Sequence, residues 1–261
     1  MRAILMGKHK RSAVSALEHL LRRGVEVVAV VAPPETGGAA DSQRLDRLAQ
    51  LNGIEVTTDD ELYARIERGE LADVDVVLSF LFWKRLRAPL IELGRIGCLN
   101  FHPAPLPDMR GMGGFNVAIL ERFAEWGVSG HFVDQDFDTG DLVRVDRFPI
   151  EPDATALSLD IESQVRLLAL FKDVVDMAID GTELPRTPQG EGRYVTRDEF
   201  EAMRRVPPGE DAETLDRRIR AFWYPPYDGA TIEVAGRTVS LIDRQLLEET
   251  AAANREAGRF P

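Results

Sequence analysis

A doubly wound, mostly parallel α/β sheet with a small β-containing appendage at its C-terminal end is the fold class that the 261 residues predict. Three observations carry that prediction. Short, nearly continuous apolar runs stand at 3–6, 25–31 and 74–80, as strands covered on both faces require. Segments of helical period separate them, so strand and helix alternate along the chain. After Pro185 the texture changes to polar loops, an aromatic–proline turn and a hairpin pattern. The expected division is a main domain over 1–181 and a small subdomain over 182–261.

The elements follow in order. Strand 3–6 leads into the basic turn Gly7-Lys8-His9-Lys10-Arg11, and Ser12 is placed to cap a helix through Arg22. Gly24 ends it, and 25–31 (Val-Glu-Val-Val-Ala-Val-Val) is the second strand. Residues 32–41, with paired Pro and Gly, read as loop; 42–51 as helix; 54–57 as a short strand. Asp59 or Asp60 caps a helix through Arg68, strand 74–80 follows, and a helix runs over 89–93 to Gly94. No Gly-x-Gly-x-x-Gly opens the first helix, so the dinucleotide fingerprint is absent, which argues against a nicotinamide oxidoreductase.

After strand 97–101 and a flexible Gly111-Met112-Gly113-Gly114 joint, a helix is expected over 115–123, then strands 128–133 and 142–148. Thr155 caps a long helix over 156–180. Its Leu157, Ile161, Val165, Leu168, Phe171, Val175 and Ile179 recur at three- and four-residue spacing and predict the buried stripe. Residues 182–212 read as loop, 212–222 as helix, 231–234 and 238–242 as a hairpin around Ala235-Gly236, and 244–256 as helix or fraying tail.

Composition narrows the function classes. A net charge of −12 disfavours a large nucleic-acid partner, because phosphate backbones are bound mainly by Lys and Arg. The single cysteine, Cys98, excludes an intramolecular disulfide and a multi-Cys zinc site. No run approaches a membrane span and none has the layout of a signal peptide, so a cytoplasmic protein is expected. Asp134-x-Asp136-x-Asp138 touches on a calcium loop, but the glycine comes one place late and the twelfth position is Val145 rather than Glu, so no metal is expected.

The chemistry concentrates in Leu99-Asn100-Phe101-His102-Pro103-Ala104-Pro105-Leu106-Pro107-Asp108-Met109-Arg110-Gly111. Side chains i and i+2 of a strand share one face, so Asn100 and His102 point the same way at a strand exit. Asp138-Thr139-Gly140 adds a carboxylate beside a turn. Asn100-x-His102-Pro103, Leu106-Pro107-x-x-Arg110-Gly111 and Asp138-Thr139-Gly140, taken in register, resemble the N10-formyltetrahydrofolate-dependent formyltransferase family. That family includes methionyl-tRNA formyltransferase, glycinamide ribonucleotide transformylase and the sugar N-formyltransferases. The resemblance covers about 1–180 and is best at 97–141. The segment Arg220-Ala-Phe-x-Tyr-Pro-Pro-Tyr-Asp-Gly-Ala is similar to the C-terminal part of compact sugar N-formyltransferases.

The resemblance implies a Rossmann-like fold and transfer of a formyl group from N10-formyltetrahydrofolate, as co-substrate, to a primary amine. Such acyl transfer needs an oxyanion donor and groups that accept and return a proton. On this reading Asn100, His102 and Asp138 are the catalytic set: an uncharged amide donor, an imidazole that titrates near neutrality, and a carboxylate that fixes the imidazole. The folate site implied by motif position comprises Lys84, Arg85 and Leu86 with Asp134, Gln135, Asp136, Phe137 and Asp138, working mostly through backbone groups, with Phe82 and Trp83 as apolar wall. Met109 stands where the family usually has Tyr, which places acceptor contacts near this loop in question. The acceptor expected first is a nucleotide-linked amino sugar, with methionyl-tRNA and a small amine as alternatives; a non-catalytic folate- or nucleotide-binding module is the rival of another class.

Other residues keep two readings. His9, His19 and His131 read as packing or solvated residues. Lys8 and Lys10 contact a substrate phosphate or simply line a solvated turn. Arg110 is an anion or loop anchor. Trp223, Tyr224 and Tyr227 form a stacking platform or pin the appendage, and residues 222–242 serve equally as an acceptor site or a homodimer contact.

Overall fold

The computed structural model describes residues 1–34 and 41–256. In chain order the elements are β1 (Arg2–Gly7), α1 (Arg11–Arg22), β2 (Glu26–Val31), a 3₁₀ turn (Asp41–Gln43), α2 (Leu45–Leu51), β3 (Val56–Thr57), α3 (Asp59–Glu67), β4 (Val76–Phe80), α4 (Ala88–Ile91) and β5 (Gly97–His102). They continue with β6 (Met109–Gly111), α5 (Gly114–Leu120), β7 (Glu125–Phe132), β8 (Leu142–Pro149), α6 (Ala156–Ile179), β9 (Arg193–Val195), α7 (Arg197–Arg204), α8 (Ala212–Ala221), β10 (Thr231–Val234), β11 (Arg237–Ser240) and α9 (Arg244–Glu256).

Seven strands form one sheet in the order β3-β2-β1-β4-β5-β7-β8. The pairs β2/β3, β1/β2, β1/β4 and β4/β5 are parallel, and β5/β7 is antiparallel. This is the doubly wound, mostly parallel sheet that the apolar runs predict. The strand order reverses between β1 and β4, and in such sheets ligands gather outside the carboxyl ends of the strands at the reversal. β10 and β11 form a separate two-stranded sheet near the C-terminus.

The described chain clusters into two compact units that interleave in sequence. The first comprises Met1–Arg110, Gly127–Phe148 and Glu162–Arg193; the second comprises Gly111–Trp126, Pro149–Ile161 and Tyr194–Pro261. In the first unit one layer of the core joins Ile4, Met6, Val31, Leu62, Val77, Leu90 and Cys98. Burial pushes the Cys98 thiol far up, so it acts there as a small hydrophobe. On another side, Phe171 meets Phe80 edge-on at 5.4 Å and Phe101 at 4.7 Å. Ser12 Oγ donates to Gln164 Oε1 at 2.9 Å, and His19 Nε2 lies 2.8 Å from Asp176 Oδ1, so α1 and α6 run side by side. In the second unit, α5 and α8 pack together through Asn116 Nδ2, which donates to the Ala221 carbonyl at 2.6 Å. Phe200 and Phe222 pack with ring centroids 5.4 Å apart.

Several local expectations are corrected. Ser12 does not cap α1: the N-cap is Lys10, without a side-chain bond, and the Ser12 hydroxyl is used against α6. The cap of α3 is Thr58, whose Oγ1 accepts from Glu61 N at 3.1 Å, rather than Asp59 or Asp60. The stripe expected for α6 holds in its C-terminal half, where Phe171 and Val175 are buried, and fails before it: Ile161 and Val165 are exposed, and Leu159, Leu167, Leu170 and Val174 are buried instead. This helix carries apolar residues on two faces, and periodicity alone does not say which one the sheet covers. Residues 182–212 are not all loop, since β9 and α7 lie there, with Thr196 Oγ1 capping α7 by accepting from Glu199 N at 3.2 Å. Of the loop expected at 32–41, residues 35–40 lie outside the described residues.

Candidate active site

β5 delivers Asn100 and His102 side by side at the carboxyl end of the sheet. Its register fixes their neighbours: Ser79 of β4 stands beside Asn100 on one side, and His131 of β7 stands opposite it on the other. His131 is almost fully buried. Its Nδ1 lies 2.7 Å from the Phe132 carbonyl oxygen, an atom that only accepts, so Nδ1 carries the proton and Nε2 is left as an acceptor. Asn100 Nδ2 lies 3.0 Å from that Nε2 and must donate to it. Ser79 Oγ then donates to Asn100 Oδ1 at 2.7 Å. The two contacts together fix which way the amide faces and aim the second Nδ2 hydrogen at Asp138 Oδ1, 3.4 Å away.

Asp138 comes from the loop between β7 and β8. Its φ is +56°, a left-handed conformation that aspartate tolerates better than most residues but that still needs support. Arg110 supplies it, with Nε donating to the Asp138 carbonyl at 3.1 Å and Nη2 to Gln189 Oε1 and the Gly190 carbonyl, each at 2.9 Å. Gln189 Nε2 in turn donates to the Gly140 carbonyl at 2.6 Å. Of the two readings of Arg110, the loop anchor is the one its contacts support. Gly140 has no room for a side chain, because a Cβ there would sit 2.0 Å from the Phe132 carbonyl oxygen. Asp138 Oδ1 ends 3.7 Å from His102 Nδ1 and 3.6 Å from His131 Nε2. These distances are beyond direct hydrogen bonds but close enough for strong electrostatic coupling.

The electrostatics separate the roles of the two titrating groups. Burial lowers the pKa of His102, against the opposing pull of the Asp138 charge. For Asp138, burial works to raise the pKa, but the charges of His102 and Arg110 bring it below the ordinary carboxylate range. At neutral pH the site therefore holds a carboxylate beside a neutral imidazole. A neutral imidazole accepts a proton, an oriented carboxamide donates to a developing oxyanion, and the carboxylate steadies the imidazolium once it forms.

The residues expected to hold a folate fall on two loops beside this cluster. Arg85 donates to the Gln135 carbonyl oxygen, pairs with Asp136 Oδ1 at 3.2 Å and lies 5.9 Å from the Phe137 ring centroid, so it bridges the two loops. Lys84 Nζ is engaged by Asp59 at 2.6 Å, and the Leu86 side chain is buried in the core. Asp134 Oδ1 closes the loop from within by accepting from Asp136 N at 3.1 Å and Thr139 Oγ1 at 2.6 Å. Phe82 and Trp83 pack at 4.6 Å, and Trp83 and Phe137 expose ring surface. Exposed ring faces suit a flat heteroaromatic ligand.

Reading the sequence missed Ser79, His131 and Gln189. His131 passed as a packing residue because the signal that reveals it is the β5/β7 register, which brings it opposite Asn100. Lys8 and Lys10 lie in the turn after β1. Within the second unit, Tyr224 Oη donates to the buried Asp160 Oδ2 at 2.5 Å, its ring lies 5.7 Å from that of Tyr227, and Tyr227 is exposed. Tyr224 is thus a packing residue, and Tyr227 keeps its face open.

The sequence model of the formyl transferase family matches residues 4–166. A methionyl-tRNA formyltransferase from Parvibaculum lavamentivorans is 30% identical over 254 residues, covering 95% of this chain and 81% of that protein. A GDP-perosamine N-formyltransferase from Brucella melitensis is 28% identical over 198 residues, 74% of each chain. Among solved structures, an N-formyltransferase from Helicobacter canadensis, in complex with folinic acid and dTDP-3-aminofucose, has a similar fold with a TM-score of 0.71. Its identity is 22%, over 90% of this chain and 85% of that one.

Proposed function

The chain belongs to the formyl transferase family, and on that premise we propose that it moves a formyl group from N10-formyltetrahydrofolate to the primary amine of a nucleotide-linked amino sugar in the cytoplasm. The observation that carries the transfer chemistry is the coupled set Asn100, His102 and Asp138 at the exit of β5. The amine attacks the formyl carbon, and Asn100 Nδ2 turns its second hydrogen from Asp138 Oδ1, a long contact at 3.4 Å, to the oxyanion that develops, keeping the first on His131 Nε2. His102, neutral beforehand, takes the proton from the amine and returns it to the departing folate nitrogen, while Asp138 stabilises the imidazolium in between. No covalent intermediate is needed. The folate fits the exposed rings of Trp83 and Phe137 and the backbone of residues 84–86 and 134–138, with Arg85 bridging the loops.

Support for the sugar-nucleotide acceptor comes from the net charge of −12, which opposes a long phosphate backbone, and from sugar N-formyltransferases among both sequence relatives and structural neighbours. The 30% identity to a methionyl-tRNA formyltransferase favours a second reading in which the amine is that of methionyl-tRNA.

Thermal unfolding with 5-formyltetrahydrofolate, alone and with thymidine, uridine or guanosine diphosphate, tests the assignment. A stabilising shift with folate and a further one with a single nucleotide is expected, since a ligand bound only by the native state stabilises it. A folate shift without any nucleotide response moves the acceptor to tRNA or a small amine. No folate response overturns the reading.

A further inference from the structure

The second unit holds a cavity of about 290 Å³ that the transfer chemistry does not use. Its lining is mixed: apolar side chains, Ile119 and Phe123 among them, stand beside three guanidinium groups, Arg122, Arg217 and Arg220, and two carboxylates, Glu151 and Glu213. Two of the arginines are held by fixed carbonyls rather than by charge alone. Arg217 Nε donates to the Leu120 carbonyl at 3.2 Å, and Arg220 Nη1 donates to the Ala154 carbonyl at 3.0 Å. Their side chains are only 13% and 20% exposed. Desolvated guanidinium groups call for anionic partners. Arg220 has its own in Asp216, whose Oδ2 accepts from Arg220 Nε at 3.0 Å, so the exchangeable carboxylate of the cavity serves Arg122 and Arg217.

The carboxylate that answers Arg122 and Arg217 is loosely held by comparison. Glu213 contacts the Arg122 guanidinium and lies 3.4 Å from Arg217 Nη1, yet its side chain is 74% exposed. Exposed ion pairs of this kind contribute little and are easily exchanged. Glu213 therefore stands where an external anion would stand, on a side chain free to swing into solvent.

We infer that this cavity is a binding site for a small organic anion, a phosphate or carboxylate on a compact apolar body, for which Glu213 is the built-in competitor. The anionic group displaces Glu213 from Arg122 and Arg217, and the apolar body covers Ile119 and Phe123. The size agrees with a ligand of a few carbon atoms beyond its anionic group.

Titration calorimetry of the full chain with phenyl phosphate tests this, with inorganic phosphate and phenol as controls. Glu213→Gln removes the competitor, so its affinity for phenyl phosphate should rise about five-fold over wild type, and Arg122→Gln should lower it by a similar factor. Phenol and inorganic phosphate should each bind more weakly than phenyl phosphate. Affinity unchanged in both variants, equal binding of phenol, or no binding by Glu213→Gln overturns the proposal. Because Arg122 and Glu213 lie on the surface, both variants should keep the wild-type melting temperature. Formyl transfer is not the readout, so the result stands apart from the proposed activity.

Discussion

Asp136 and Asp138 sit two residues apart on one loop and could hardly differ more in circumstance. The Asp136 side chain is 81% exposed and meets Arg85 across open solvent. That of Asp138 is 12% exposed, beside two imidazoles and an oriented carboxamide. The residue type is the same and so is the segment; water makes the difference. In solvent a carboxylate–guanidinium pair contributes about 0–1 kcal/mol. In the dry cluster the same charge sets the protonation of its neighbours. The Asp138 end is held by a left-handed backbone, the Arg110 bonds and a glycine with no room for a Cβ. The Asp136 carboxylate, by contrast, is held among the described residues by Arg85 alone.

This contrast is sharpened most by charge-removing variants at the two positions. Asp138→Asn and His102→Ala should each lower the formyl-transfer rate by about 10²–10⁴, the span of a lost acid–base group. Asp136→Asn should stay within about three-fold of wild type, in line with an exposed pair. Steady-state rates at saturating folate decide it, with circular dichroism showing that each variant is folded.

Next in size is Asn100→Ala, which should cost about 10²–10³ in kcat, the effect of removing one oxyanion donor, with little change in the folate KM. His131→Phe keeps the ring volume but frees the Asn100 amide to rotate. It should cost about 10–100-fold in kcat, as losses of orienting partners do. Equal rates for His131→Phe and wild type would show that the amide is held without it.

A pH profile makes a finer test. A base with a lowered pKa is already neutral in mildly acidic solution, so the acid limb of kcat/KM should have its midpoint below 6.5, the ordinary histidine value. Asp138 pulls the His102 pKa upward, so neutralising it should move the His102 titration to still lower pH. The imidazole resonance of His102 in Asp138→Asn, followed by NMR, reads that shift directly. Movement to higher pH would contradict the assigned coupling.

The smallest effect belongs to Arg85→Ala. Its bridge from the β4 loop to Gln135 and Asp136 is solvent-exposed, so the folate KM should rise a few-fold, about 1 kcal/mol or less, with kcat unchanged.

Much of the fold and part of the site were legible before any coordinates. Runs that are apolar on both faces specify covered parallel strands, and β1, β2 and β4 follow them closely. That Asn100 and His102 share a face was legible because a strand repeats every two residues, and that Asp138 lies in a loop because glycine marks a turn there; grouping the three rested on the family resemblance. His131 and Ser79 were not, since what makes them part of the site is pairing between strands, and register is a long-range property. The phase of the first half of α6 was hidden by apolar residues on both its faces. α7 was hidden for the opposite reason: it buries none of its residues, so no stripe announces it, and only the Thr196-to-Glu199 cap signature marks its start.

The central claim is that the half-buried trio Asn100, His102 and Asp138 carries the formyl group to an amine. The most direct measurement supplies N10-formyltetrahydrofolate with a labelled formyl carbon and a panel of thymidine-, uridine- and guanosine-diphosphate amino sugars to the wild-type chain and to Asp138→Asn. The account predicts label on the amine of one sugar nucleotide with the wild type, and a loss of about two orders of magnitude or more with the variant. Label transferred equally well by both proteins would contradict it.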